Sequence, residues 1–264
     1  MIEERQIALD MGRLISRVRE TIKGLQTIER EAAEPDALQA FAGRMQEAPE
    51  SAKTIVLAED TAVELGCPSR ASVNAVIWTR AGREINDGRV SLIGPDLPHL
   101  TGAERDYAQI VMLGLTPEAE LDPFQLESPQ YLTRRLPGVM ARMIPGRLWL
   151  RGSREAMAQG LDFALIGGAL RRAYLELAQG IAGVETIFVT QDRETVERFS
   201  PLASEAKILA GQHRKVALAA SGDYECEELN CESCDEKPVC DQIREVVTIK
   251  RRQRQESGRE GGAN

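Results

Sequence analysis

The sequence is short of the features on which most transport and catalytic readings rest. No run of about eighteen apolar residues occurs, so no helix is expected to cross a bilayer. Only two histidines are present, His99 and His213, and neither has neighbours at ligand or catalytic spacing. A phosphate loop of the G-x-x-x-x-G-K type is absent. Its nearest approach, "INDGRVSLIGPD", holds no lysine and reads as a turn at Asn86-Asp87-Gly88 beside a strand. Positive charge is also lacking: a net charge of −8 argues against a nucleic-acid-binding surface. The one basic run, "KRRQRQESGREGGAN", ends Gly-rich and polar and reads as a disordered tail. The N-terminal "MIEERQIALDMGRLISRVRE" interleaves charged and apolar residues and is no signal peptide. A cytoplasmic location is expected, where thiols stay reduced. No internal repeat is seen.

Cysteine is scarce except in one place. Cys67 stands alone and reads as a buried structural thiol, whereas Cys226, Cys231, Cys234 and Cys240 fall within fifteen residues as C-x4-C-x2-C-x5-C. In a reducing compartment this density points to one metal cage rather than disulfides. Four soft anionic ligands in a tetrahedral set suit either zinc or an iron–sulfur cluster, and spacing leaves both open. Pro238, just before the last thiol, fixes the local turn. The acidic neighbours Glu225, Glu227, Glu228, Glu232, Asp235 and Glu236 would lower the potential of a cubane, and zinc tolerates them.

Periodicity gives an α+β chain: a mixed sheet with packed helices, an N-terminal helical segment and a C-terminal cysteine-rich metal-binding segment. Ile7, Met11, Leu14, Val18, Ile22, Leu25 and Ile28 form one apolar stripe, which predicts a helix over 2–33. That stripe either packs on its own domain or, given its near-heptad rhythm, supports self-association. Pro35 opens a second helix to about residue 47. Strands are expected at "TIVLAE", "SVNAVIWTR", "GRVSLIG", "YAQIVMLG", "RLWLRGS" and "VETIFVT". Helices are expected over 129–143, across "MAQGLDFALIGGALRRAYLELAQGI" and in segments from Arg193 to Arg214. The expected divisions are 1–50, 51–218, 219–249 and 250–264.

Three stretches carry a resemblance. "VELGCPSRASVNAVIWTRAGREINDGRVSLIGPDL" (63–97), "LPGVMARMIPGRLWLRGSREAMAQGLDFALIGGALRRAYLE" (136–176) and "VETIFVTQDRETVERF" (184–199) follow in order. Together they resemble the middle domain of the CO-methylating acetyl-CoA synthase, the beta subunit of the CO dehydrogenase/acetyl-CoA synthase complex, over roughly residues 54 to 200. The resemblance implies other subunits of such a complex as partners, anaerobic one-carbon metabolism, and a 4Fe–4S cluster in preference to zinc. That family builds its A-cluster in a following domain. A cubane there uses a C-x2-C pair and two widely spaced cysteines, and a G-C-x-C motif binds the outer nickel. Here Cys231 and Cys234 give a C-x2-C pair, but the next gap is five residues and no Cys-x-Cys occurs. The sequence also ends before such a domain could follow. The chain alone is therefore not expected to make acetyl-CoA, and no catalytic residue is assigned.

Alternation along "RLWLRGS" places Arg147, Trp149 and Arg151 on one strand face, with Leu148 and Leu150 on the other. An indole between two guanidiniums offers a stacking plane and phosphate donors. A half-buried tryptophan beside solvated arginines is the plainer account. The resemblance implies coenzyme A binding by arginines near a tryptophan, and Arg134, Arg135 and Arg142, on the expected preceding helix, would extend the same basic face. Three functions compete: an accessory or partial subunit of the resembled family, a zinc- or iron–sulfur-binding scaffold or regulator, and an unrelated coenzyme A-dependent transferase. The last lacks a recognisable nucleophile or base.

Overall fold

The N-terminal helix α1 (Ile2–Ile22) stops at Gly24, whose φ of +91° is open to glycine at little cost. The stripe expected to continue to residue 33 is thus cut, and Thr27–Glu31 forms strand β1 instead. The computed structural model describes residues 2–54, 56–80, 85–100, 104–119, 126, 135–144, 147–177, 180–211, 216–218 and 224–226. The chain divides into two units, Met1–His213 and Arg214–Asn264.

After β1 come helices α2 (Pro35–Arg44) and α3 (Glu50–Lys53), then strands β2 (Thr61–Leu65), β3 (Ser72–Thr79), β4 (Arg89–Ile93), β5 (Glu104–Arg105) and β6 (Tyr107–Leu115). Strands β7 (Val139–Ile144) and β8 (Arg147–Ser153) precede helices α4 (Arg154–Ala158) and α5 (Phe163–Leu177). Strand β9 (Ile181–Val189) and helices α6 (Arg193–Glu197) and α7 (Ser200–Gly211) complete the first unit. Three expectations fail here. "TIVLAE" is no strand: Val56 turns to a φ of +42° and a single 3-10 turn covers Ala58–Asp60, so the strand begins at Thr61. The helix expected to end at Met143 is strand β7 over its last residues, because Val139–Ile144 pair antiparallel with β8. The long helix expected over 157–181 is two, α4 and α5, parted by a turn at Gly160.

Two sheets organise the first unit, both among the described residues. The five-stranded sheet runs β1-β4-β9-β6-β3 and is mixed: β3/β6 and β4/β9 are parallel, β6/β9 and β1/β4 antiparallel. Helix α5 lies on the face carrying Val90 and Thr186, as the position of Gly167 against both shows. Helix α1 buries Met11, Leu14, Ile15 and Val18 against β3 and α7. The stripe therefore packs inside its own unit over 11–18, leaving no apolar surface there for self-association. Tyr107, Phe163 and Phe188 stack at the centre, with the Phe163 and Phe188 ring centroids 4.6 Å apart.

The four-stranded sheet runs β5-β2-β8-β7. It is tied to β3 by Ser72, whose hydroxyl donates to the Leu148 carbonyl (2.7 Å) and accepts from the Leu148 amide (3.0 Å). In the second unit, β10 (Val216–Leu218) and β11 (Tyr224–Cys226) form an antiparallel pair with Cys226 opposite Val216. No described helix is long and apolar enough to cross a membrane.

Candidate functional site

Strand β8 alternates as the sequence predicts. Leu148 and Leu150 are fully buried, while Arg147, Trp149 and Arg151 are half-buried on the opposite face of the four-stranded sheet. Strand pairing builds that face in rows. One row runs Glu104, Glu64, Arg151, Met140 across β5, β2, β8 and β7; the next sets Trp149 beside Arg142.

The structure brings the three expected residues together and assigns their charges differently. Arg147 turns away from the indole. Its guanidinium donates to the carbonyls of Cys67 (2.9 Å), Pro68 (3.3 Å) and Arg70, closing the turn that follows β2. Arg151 pairs with Glu64 (Nε to Oε1, 3.0 Å), each side chain 17% exposed, and its guanidinium lies 4.4 Å from the Trp149 ring centroid. The indole is therefore covered by one arginine rather than framed by two.

The cation left for a ligand is Arg142. It is exposed and makes no ion pair among the described residues. The sequence predicts a helix at this position. Arg142 lies on β7, yet the register against Trp149 brings it to the same face. Arg135 is engaged with Glu176, and Arg134 lies outside the described residues. Among the described residues the Trp149 Nε1–H is buried without an acceptor, as is the Arg147 Nε–H on the same face, and the Arg151 Nε meets Glu64 as an ion pair without hydrogen-bond geometry.

An aromatic plane, an unused N–H donor and an unpaired guanidinium suit a ligand that joins an aromatic ring to anionic groups. The residue that sequence reasoning missed is Glu64. Its outward position follows from alternation in "TAVEL", but its neighbour Arg151 is set by pairing across many intervening residues.

Beside this face, Cys67 is buried as expected, with its Sγ 3.1 Å from the Ser69 hydroxyl. That hydroxyl donates to Glu104 (2.7 Å). The Ser69 hydroxyl, with the Cys67 thiol and Arg70, holds the Glu104 carboxyl below its ordinary range.

Of the four clustered cysteines, Cys226 is the last residue of β11. Cys231, Cys234 and Cys240 lie outside the described residues, as do 227–264 as a whole. No group of three or more His, Cys, Asp or Glu side chains at metal-binding positions occurs among the described residues. The fit to a metal therefore rests on donor chemistry: four thiolates satisfy one tetrahedral zinc or one cubane and leave no position open.

Other buried polar groups serve the fold. Asp96, 4% exposed, accepts from the Leu97 and Phe163 amides (2.7 and 3.1 Å) and pairs with Arg30 (3.2 Å), joining β1, the end of β4 and the start of α5. The buried Tyr107 hydroxyl donates to Gln109 (2.9 Å), and burial pushes its phenol well above the usual range.

A family model for the CO dehydrogenase/acetyl-CoA synthase complex beta subunit matches residues 45–196. The match takes in the whole four-stranded sheet and every strand of the five-stranded sheet except β1. No curated protein sequence matches the chain.

Proposed function

This chain belongs to the CO dehydrogenase/acetyl-CoA synthase complex beta-subunit family, whose model covers more than half of it, and from that premise we propose that it acts as an accessory or partial subunit in CO and acetyl-CoA metabolism. In this reading it holds coenzyme A on the outer face of the four-stranded sheet and carries one 4Fe–4S cluster on Cys226, Cys231, Cys234 and Cys240. The observation that carries the reading is the placement of Arg142 beside Trp149, within the region that matches the family. Coenzyme A unites an adenine with several phosphate charges, so the indole and its N–H meet the ring while Arg142 meets a phosphate.

Arg147 keeps the turn after β2 in place and, in this reading, touches no ligand. The cluster, when bound, supplies one-electron transfer through four closed ligand positions. Support for iron over zinc comes from the family.

Titration of coenzyme A against tryptophan fluorescence tests the binding face. Exposed charge contacts contribute roughly 0.2–1 kcal/mol each and an aromatic stack a similar amount, so the expected Kd is about tens of micromolar to millimolar. Wild type should quench, and Arg142→Ala should quench far less. A flat titration of wild type up to millimolar ligand would remove coenzyme A from this face.

A further inference from the structure

Arg151 is the only guanidinium seen on the Trp149 ring among the described residues, at 4.4 Å, and its Nε stands 3.0 Å from Glu64 Oε1. On the far side of Glu64 stands a second carboxylate, Glu104, directly across in register. Like charges facing one another on neighbouring strands repel. Glu104 is itself engaged by Ser69 and Arg70, so Glu64 is drawn to Arg151 as its counter-charge. The pair is half-buried, which keeps it less screened than a surface pair. Two consequences follow for the binding face. The charge of Arg151 is neutralised where a phosphate would need it, and the guanidinium covers one side of the indole that an adenine would need.

We propose that Glu64 is a positioning residue that latches Arg151 flat on Trp149, so that an incoming phosphate-bearing ligand must win Arg151 from Glu64 before the indole is free to stack. The proposal adds a latch to the coenzyme A face described above and rests on that reading only for the identity of the ligand. It makes Glu64 a determinant of weak, releasable binding. Phosphate competes for the guanidinium, and the freed ring then takes the adenine.

Two measurements on Glu64→Gln separate the latch from the ligand. Acrylamide quenching reports how open the indole is, with no ligand present, and Trp78, 7% exposed, gives a low background. If Glu64 latches Arg151, acrylamide quenching rises in Glu64→Gln and returns toward wild type in Glu64→Asp, which keeps the charge. Coenzyme A affinity should tighten by about three- to tenfold in Glu64→Gln, the scale of one modest ion pair, and fall more steeply with salt.

Unchanged acrylamide quenching in Glu64→Gln overturns the latch whatever coenzyme A does. Raised quenching with wild-type coenzyme A affinity overturns the competition. Raised quenching with no coenzyme A response in any variant leaves the latch standing and removes coenzyme A as the ligand. If Glu64→Gln does not fold, Arg151→Met uncovers the ring by the other partner, and quenching that does not rise there overturns the latch equally.

Discussion

Gly168 of α5 rests against Ala33, the residue two beyond β1, so closely that a Cβ built on Gly168 would overlap the Ala33 carbonyl oxygen. The Ala33 amide in turn donates to the Ala164 carbonyl at 2.9 Å, so helix and strand end share a backbone seam. Glycine inside a helix normally costs about 1 kcal/mol relative to alanine. Here close approach outweighs propensity. Gly168→Ala should destabilise by about 1–3 kcal/mol through overpacking. Gly43→Ala, on α2 with nothing within 4 Å of a built Cβ, should be neutral or gain up to about 1 kcal/mol. Urea midpoints of the two variants, moving in these senses, check the contrast.

A second seam joins α1 to the five-stranded sheet. Glu185 on β9 is 3% exposed and accepts from Arg19 and from the Asn86 amide, both at 3.0 Å. Removing Arg19 leaves a buried carboxylate short of its counter-charge. Arg19→Met should cost about 1–3 kcal/mol, below the ~3–5 of a fully buried pair because Arg19 is 36% exposed. Arg17→Met, which breaks the surface pair with Glu205, should cost ~0–1 kcal/mol. Equal losses in the two variants would show that the Glu185 contact adds nothing special.

These seams explain which parts of the fold were legible in the sequence. Strands β3, β4, β6 and β9 announce themselves by Val and Ile content, β8 by the alternation of Leu148 and Leu150 with Arg147, Trp149 and Arg151, and α5 by its apolar stripe. Strand β1 does not. Leu25 and Ile28 continue the helical rhythm of α1, and only pairing with Arg89–Ile93 makes Thr27–Glu31 a strand. Ile28, counted in the stripe, is 45% exposed. Strand β7 is hidden for the same reason, since "VMARMI" carries no alternation and takes its state from β8. The shared face of Arg147, Trp149 and Arg151 was readable because alternation is local. The partners of the arginines were not, because Glu64 and the turn at Cys67–Arg70 are brought to β8 only by tertiary pairing.

Two aspartates shift in opposite directions and give opposite pH signatures. Burial pulls the Asp87 carboxyl up, but the Arg171 hydrogen bonds (3.0 and 2.7 Å) and the Val184 amide (3.0 Å) outweigh it and hold the group below its ordinary value. Its stabilisation is present above the unfolded pKa and is lost as pH falls through the folded value. Burial, followed by nearby Asp96, raises the Asp162 carboxyl above its ordinary value despite the Leu165 amide. Its folded form retains a proton longer, so stability is lost as pH rises through the raised value. Asp87→Asn should therefore be less stable than wild type at neutral pH. Asp162→Asn, which keeps a capping oxygen, should be more stable there. Both differences should shrink on acidification, and urea midpoints between about pH 3 and pH 7 read them.

The cysteine segment makes a compositional prediction. Four thiols in fifteen residues should bind one metal centre per chain. Anaerobically purified protein should contain iron and acid-labile sulfide near four each, the stoichiometry of one cubane. Cys231→Ser or Cys234→Ser should release most of it. Zinc at about one per chain in place of iron would favour a scaffold role. Neither metal in wild type would end the cage.

The same donor count sets the limit on chemistry. Joining CO to a methyl group and passing the product to coenzyme A needs a low-valent metal with open positions and its own flanking thiolates. A cage that Cys226, Cys231, Cys234 and Cys240 would close together would have no open position, and the fifth cysteine, Cys67, is buried in the turn held by Arg147. No Cys-x-Cys pair is present to take a nickel. The purified chain, given CO, a methylated corrinoid protein and coenzyme A, should form no acetyl-CoA even when its metal centre is full. Addition of a partner that brings a nickel site should be required for any product. Turnover by the chain free of other subunits would mean that one of the five thiols is not committed as argued, and Cys67→Ser would then identify whether the buried one is responsible.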